Sequence, residues 1–271
     1  MAGDITPREN PIKISKRPEV QGRVDVQVSK IQTHHPEVSP EVATEQARDK
    51  VASEIVREKL RKELSGARKK MAKDFLTKLG TKFLFDATLD REIATVERDR
   101  RSSPLELTLM DIDDFGVFNK RYGIPTGDEV LRTVGETINE TLRASDLAFR
   151  IGGEELAIVS RRTHNPEKSG DKLISERHHE AIGNAQSENG HRITVSVGQT
   201  DYIRDEKRDT FEGRANTALQ VAKKLGKDRV IMGEVIDGKE VYTDTSTGKR
   251  YYALKTPDGE FLDVDEITTN G

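Results

Sequence analysis

The chain has 271 residues with 45 basic and 48 acidic side chains, a net charge of −3, so no global excess of positive charge speaks for binding nucleic acid by phosphate neutralisation. The absence of cysteine excludes a disulfide framework, a thiolate zinc site and a cysteine nucleophile, and fits a reducing compartment. The length suits about two ordinary domains, but with 33% hydrophobic and 34% charged residues and no tryptophan, part of the chain is expected to bury too little apolar surface to pack tightly.

Residues 1–40 carry Pro7, Pro11, Pro18, Pro36 and Pro40 among scattered charges. That composition predicts a disordered N-terminal arm, either a solvated tail or a segment that folds against a protein partner. Ser39-Pro40-Glu41 is a helix-start signal, and Val51, Ile55, Leu60, Leu64, Ala67 and Met71 recur at near-helical spacing, predicting an amphipathic helix over 41–73. Its C-terminal half is basic, with Arg57, Lys59, Arg61, Lys62, Arg68, Lys69, Lys70 and Lys73 against Glu58 and Glu63. Such a run is a solvated helix face, a dimer-forming coil or an anionic docking surface.

From 74 to 233 the pattern is that of a compact α/β or α+β domain. A buried strand is predicted at 105–112, a helix at 127–142, and two strands at 147–151 and 155–160 joined as a hairpin by Gly152-Gly153-Glu154. A helix near 167–186 precedes a segment rich in Asn, Glu and Gly. The alternation of Ile193, Val195 and Val197 then predicts a strand, 215–225 a helix closed by Gly226, and 229–232 a last strand. Beyond, residues 234–271 place Tyr242, Tyr251, Tyr252 and Phe261 among turn signals, predicting a small β-meander. Three strands alone are marginal in water, so the meander is expected to lean on the preceding domain or on another chain.

Two acidic clusters fall where strands end: Asp111-Ile112-Asp113-Asp114, and Glu154-Glu155 at the hairpin tip. Crowded carboxylates repel unless a cation or a raised pKa compensates. Taken singly, each fits exposed turn acids; taken together, a hard divalent cation with oxygen ligands explains both.

The spelling around them resembles the GGDEF family of diguanylate cyclases. Gly152-Gly153-Glu154-Glu155-Leu156 is similar to the signature whose third position is Asp or Glu, and Asp74-x-Leu76-Thr77-x-Leu79 resembles the segment that opens the family domain. Asp111-x-Asp113-x-Phe115-x-x-x-Asn119-x-x-x-Gly123-x-x-x-Gly127-Asp128 continues the match. It extends through Arg150-x-Gly152-Gly153, Thr194-Val195-Ser196-Val197-Gly198 and Ala222-Lys223-x-x-Gly226-Lys227-x-Arg229. The resemblance implies an α+β GGDEF domain over 74–233, with a ferredoxin-like core of the nucleotidyl cyclase type. It also implies an enzyme joining two GTP molecules into cyclic di-GMP with release of pyrophosphate, as a homodimer of half-sites.

By the same resemblance, Asp111 and Glu154 are catalytic and hold Mg²⁺, with Mn²⁺ as a substitute, the Ile112 carbonyl is a further ligand, and Glu155 adjoins the metal. A cation there lowers the pKa of the attacking hydroxyl and neutralises the triphosphate. Phe115, Gly152, Gly153, Lys223 and Lys227 fall at substrate-binding positions. The two glycines let backbone approach phosphate, with tolerance of positive φ, and the two lysines counter phosphate charge or are merely solvated. Asn119 and Asp128 are expected to read guanine by its polar edge. Arg143-x-x-Asp146 resembles the family's inhibitory product site, or is a helix-end ion pair.

The sequence departs from the family pattern at Gly116, where a phosphate-contacting Lys is usual, and at Lys120, Ile124, Lys227 and Leu156, where Asp, His, Arg and Phe are common. These departures leave a second reading, a catalytically impaired domain that senses GTP or cyclic di-GMP. His34, His35, His164, His178, His179 and His191 lie in polar stretches without metalloprotease spacing and are expected at the surface. No apolar run reaches the roughly 20 residues of a membrane span, and the N-terminus has no signal-peptide core. The expected setting is cytoplasmic.

Overall fold

A computed structural model describes residues 18–162, 173–185 and 190–267, with backbone alone at 19, 60 and 62–71. The polypeptide divides into two compact units, Met1–Lys70 and Met71–Gly271.

In the first unit, helix α1 spans Pro18–His34 and helix α2 begins at Pro40 and runs to Met71. Helix α1 lies where composition predicts a disordered arm. Pro18 costs nothing at a helix start, where its missing N–H has no partner to lose, and Val20, Val24, Val28 and Ile31 form one stripe. That stripe packs on Ala47, Val51 and Ile55 of α2, so the apolar content, though sparse, sits on one face. The predicted arm over 1–17 lies outside the described residues, as do the side chains of Leu60, Leu64, Ala67 and Met71.

The second unit is an α+β fold built on β1 (Gly80–Thr81), α3 (Lys82–Arg98), β2 (Leu105–Ile112), α4 (Phe115–Tyr122), α5 (Ile124–Thr141), β3 (Leu147–Arg150), β4 (Glu155–Arg161), α6 (Ile174–Asn184), β5 (Val195–Asp201), α7 (Arg208–Lys224), β6 (Arg229–Ile236), β7 (Lys239–Asp244), β8 (Arg250–Lys255) and β9 (Phe261–Glu266). The strands form one nine-stranded sheet in the order β1-β3-β4-β2-β5-β6-β7-β8-β9. Strand β2 lies antiparallel to both β4 and β5, and β5 is parallel to β6. Strand β2 is buried along nearly its whole length, its polar Glu106, Thr108 and Asp111 included, because helices cover both faces. Met110 and Ile112 join Val130, Val134 and Ile138 of α5 and Ile182 of α6 on one side. Leu105 and Leu107 join Phe85 and Leu89 of α3 and Phe211 and Ala215 of α7 on the other.

The predicted meander extends this sheet. Strand β6 continues to Ile236, and Tyr242, Tyr251, Phe261 and Val264 pack on Ala218, Val221 and Leu225 of α7. Parts of the predicted loop and helix between β4 and β5, residues 163–172 and 186–189, lie outside the described residues.

Among the described histidines the surface expectation fails at one position, and His164 lies outside the described residues. His178 on α6 is fully buried, its Nδ1 2.7 Å from the Thr141 hydroxyl. Nε2 has no partner among the described residues. Burial, with the Arg177 charge beside it, lowers the pKa from 6.5 to about 4. The unfolded chain then takes up this proton first as pH falls. The associated stability is complete above pH 6.5 and is lost toward pH 4, amounting to about 2 kcal/mol between pH 7 and pH 5. Urea unfolding at those two pH values is expected to show that loss, and His178→Gln to remove most of the difference.

Candidate active site

Asp111 sits at the C-terminal end of β2, paired in register with Glu155 of β4 and Ser196 of β5. The next residue, Ile112, donates its N–H to the Glu154 carbonyl at 3.4 Å. The two acidic clusters, over forty positions apart in sequence, are thereby joined. Asp111, Ile112, Asp113, Asp114 and Glu154 line one cleft of about 280 Å³ with Phe115, Gly116, Val117, Lys120, Lys223 and Lys227.

Two of the four carboxylates that line this cleft are paired with lysines of the chain. Lys223 Nζ lies 2.7 Å from Asp111 Oδ2 and Lys227 Nζ 2.5 Å from Asp114 Oδ1. Asp113 accepts from the Ser196 hydroxyl at 2.6 Å and from the Asp228 N–H at 3.0 Å, which ties β2 to the loop after α7. The hydrogen bond that Lys227 donates to Asp114, with the fields of Asp114, Asp113 and Asp111, outweighs desolvation and raises the pKa of Lys227. The lysines read from sequence as phosphate ligands thus rest on carboxylates in the free protein.

Among the described residues, no three His, Asp or Glu side chains are gathered as a metal cage. The donor set of Asp111, the Ile112 carbonyl and Glu154 nevertheless suits magnesium, which is commonly held by one or two carboxylates with the remaining positions taken by water and substrate phosphates. Glu155 does not line the cleft. It is exposed, and its carboxylate folds over Gly152, where an added Cβ would lie 2.2 Å from Oε2. Neither Gly152 nor Gly153 adopts positive φ. A Cβ at Gly152 would displace only the flexible end of the exposed Glu155 side chain, and one on Gly153 would meet nothing within 4 Å, leaving the hairpin tip open to a ligand.

Asn119 and Asp128 lie on α4 and α5 outside the cleft lining. Asn119 Oδ1 is buried and has no hydrogen-bond partner among the described residues, an arrangement that calls for a donor such as a ligand N–H or a water O–H. A Cβ at Gly127 would stand 1.8 Å from that oxygen, so this glycine lets α5 lie against the amide, beside half-buried Asp128. Phe115 joins the two regions: it lines the cleft, belongs to the core, and brings its ring to 3.2 Å from the same point. Leu156 is fully buried in that core.

Arg143 and Asp146 stand in the turn between α5 and β3. Asp146 is buried and accepts from the Arg143 N–H at 3.2 Å and the Ser145 hydroxyl at 3.1 Å. This turn lies outside the cleft lining.

One element of the site escaped the sequence reading. Arg150 donates to both oxygens of Asp74, at 3.2 and 3.3 Å, and to the Gly153 carbonyl at 2.7 Å. Burial would raise the Asp74 pKa, but the Thr77 N–H and hydroxyl, together with Arg150, outweigh it and hold the carboxyl below its usual range. Arg150 thus clamps the hairpin tip to the start of the second unit. Both residues fall in the motifs quoted above, but only the fold shows that they meet.

Comparison with known proteins gives the same assignment. Residues 71–229 match the family model described as diguanylate cyclase, GGDEF domain. The chain is 30% identical over 166 residues to diguanylate cyclase DosC of Escherichia coli K12, covering 60% of this chain and 35% of that protein. It is 32% identical over 161 residues to diguanylate cyclase DgcZ of the same organism, covering 58% and 51%. The chain therefore spans between a third and a half of these relatives. Among solved structures, the coiled coil and GGDEF domain of DgcB from Caulobacter crescentus, in complex with c-di-GMP, superposes with a TM-score of 0.56 at 29% identity, covering 66% of this chain and 95% of that one. Because the matched segment takes in more than half of the chain and contains the whole acidic cleft, the protein belongs to the GGDEF-domain family of diguanylate cyclases.

Proposed function

We propose that the chain is a diguanylate cyclase that condenses two GTP into cyclic di-GMP and two pyrophosphates, with Mg²⁺, as a homodimer of half-sites. The observation that carries this reading is the single cleft containing Asp111 and Glu154, rimmed by Lys223 and Lys227. Asp111, the Ile112 carbonyl and Glu154 would hold the cation, which when bound supplies Lewis-acid polarisation and charge neutralisation. Lys223 and Lys227, already facing the cleft, would exchange their carboxylate partners for phosphate oxygens. The unpartnered Asn119 amide oxygen, with Asp128 as a second acceptor, suits the adjacent N1–H and N2–H donors of guanine; adenine, which offers only its N6 amino group, would leave one acceptor orphaned. A second protomer is needed because each 3′-hydroxyl must meet the other nucleotide's α-phosphate, and holding both raises their effective concentration. The complex of DgcB with c-di-GMP supports the product class, and Arg143 with Asp146 is the candidate turn for product feedback.

Incubation with GTP and Mg²⁺ followed by chromatography is expected to yield cyclic di-GMP and two pyrophosphates for each molecule formed. Gly116 leaves the cleft one cation short of the usual pattern. GTP binding without any product would therefore favour the sensor reading and remove the enzymatic one.

A further inference from the structure

We infer that the C-terminal extension, which lies beyond the family-matched segment, is a working part of the nucleotide site, and that Asp244 is a positioning residue for Lys227. The inference rests on the proposed role of the cleft in binding GTP.

The loop after α7 is unusual. Gly226, Lys227 and Asp228 all have positive φ, at 107°, 64° and 46°. For the two residues that carry a Cβ, this conformation is unfavourable and persists only where surrounding contacts enforce it. Some of those contacts come from the domain itself: Lys227 N–H donates to the Ala222 carbonyl, and Asp228 N–H donates to Asp113. Another comes from the extension. Arg229 Nε donates to the Lys227 carbonyl at 3.0 Å, while its terminal nitrogen donates to Asp244 Oδ2 at 2.9 Å. Asp244, at the end of β7, is fully buried. Its other oxygen accepts from the Ser246 N–H and hydroxyl and from the Thr247 N–H. The Thr245 N–H closes the arrangement on the Val230 carbonyl at 3.1 Å.

A buried carboxylate with three local donors and one guanidinium is a fixed point. From it a single side chain reaches the carbonyl of the very residue whose ammonium faces the cleft. The family-matched segment ends at residue 229, so it contains the arginine but not the carboxylate that orients it.

Asp244→Asn preserves shape and removes the charge that orients Arg229; Arg229→Lys preserves charge but cannot reach both partners. In the full chain, each is expected to raise KM for GTP about three- to tenfold with kcat within about twofold, the pattern of weakened ground-state binding. The double variant is expected to be no worse than the worse single one, since both break one link. Amide hydrogen exchange at 226–228 is expected to accelerate in parallel. A folded variant whose KM and exchange both match the wild type would overturn the inference, as would a change in only one of them. If Asp244→Asn does not fold, Arg229→Lys decides by the same criteria. If the wild type forms no cyclic di-GMP, the cyclase reading fails independently. The affinity for GTP with Mg²⁺ then replaces KM, and exchange at 226–228 still decides whether Asp244 holds the loop.

Discussion

Glu154→Gln is expected to reduce cyclic di-GMP formation about a thousandfold or more, equivalent to about 4 kcal/mol of barrier. The substitution keeps the size of the side chain and removes the charge that a cation in the cleft requires. It leaves the fold intact because the contact joining the hairpin to β2 is made by the Glu154 carbonyl, which accepts the Ile112 N–H, and not by the carboxylate. Turnover measured by product chromatography should therefore collapse while the unfolding free energy from urea titration changes by no more than about 0.5 kcal/mol. Undiminished turnover in the folded variant would end the metal assignment at this position.

Gly198→Ala is expected to have the opposite signature, a large loss of stability from the smallest possible side chain. A Cβ at 198 would lie 2.3 Å from the Leu219 backbone nitrogen and 2.5 Å from the Ala215 carbonyl oxygen. These are main-chain atoms of α7, so no rotamer change relieves the contact. The helix must lift from β5, opening the packing of Ala215 and Phe211 against β2 and α3. Overpacking of this kind costs about 3 kcal/mol, a fall of roughly 6 to 12 °C in Tm for a unit of this size. An unchanged Tm would contradict the seating of α7 on the sheet.

Much of the catalytic region was legible because its residue types are dictated by position. The burial of β2 follows from two covered faces, and the acids at its end stand beside the hairpin as the motif order implied. The GGEEL tip was read as a hairpin, and the antiparallel pairing of β3 with β4 bears that out. Less legible was anything depending on a partner distant in sequence. The Lys223 contact with Asp111 and the Arg150 clamp on Asp74 join residues 112 and 76 positions apart, which no local pattern reveals. His178 misled because its neighbours in sequence are polar, whereas its neighbours in space are Thr141 and the interior face of α6. Helix α1 was missed because prolines and charges dominate the average composition of its region, and averages erase a four-residue apolar stripe.

The order of the sheet also determines how the protein meets other strands. Its two rims are β1, only two residues long, and β9, where Asp263, Asp265 and Glu266 follow a register irregularity at Leu254 and Lys255. A rim that short offers almost no ladder, and Lys73 already bridges Gly80 there, while Asp263 and Glu266 on the other rim are paired with Lys224 and Lys249. Among the described strands, the sheet is thus guarded against end-to-end pairing by the brevity of β1 on one side and by the irregular register behind β9 on the other.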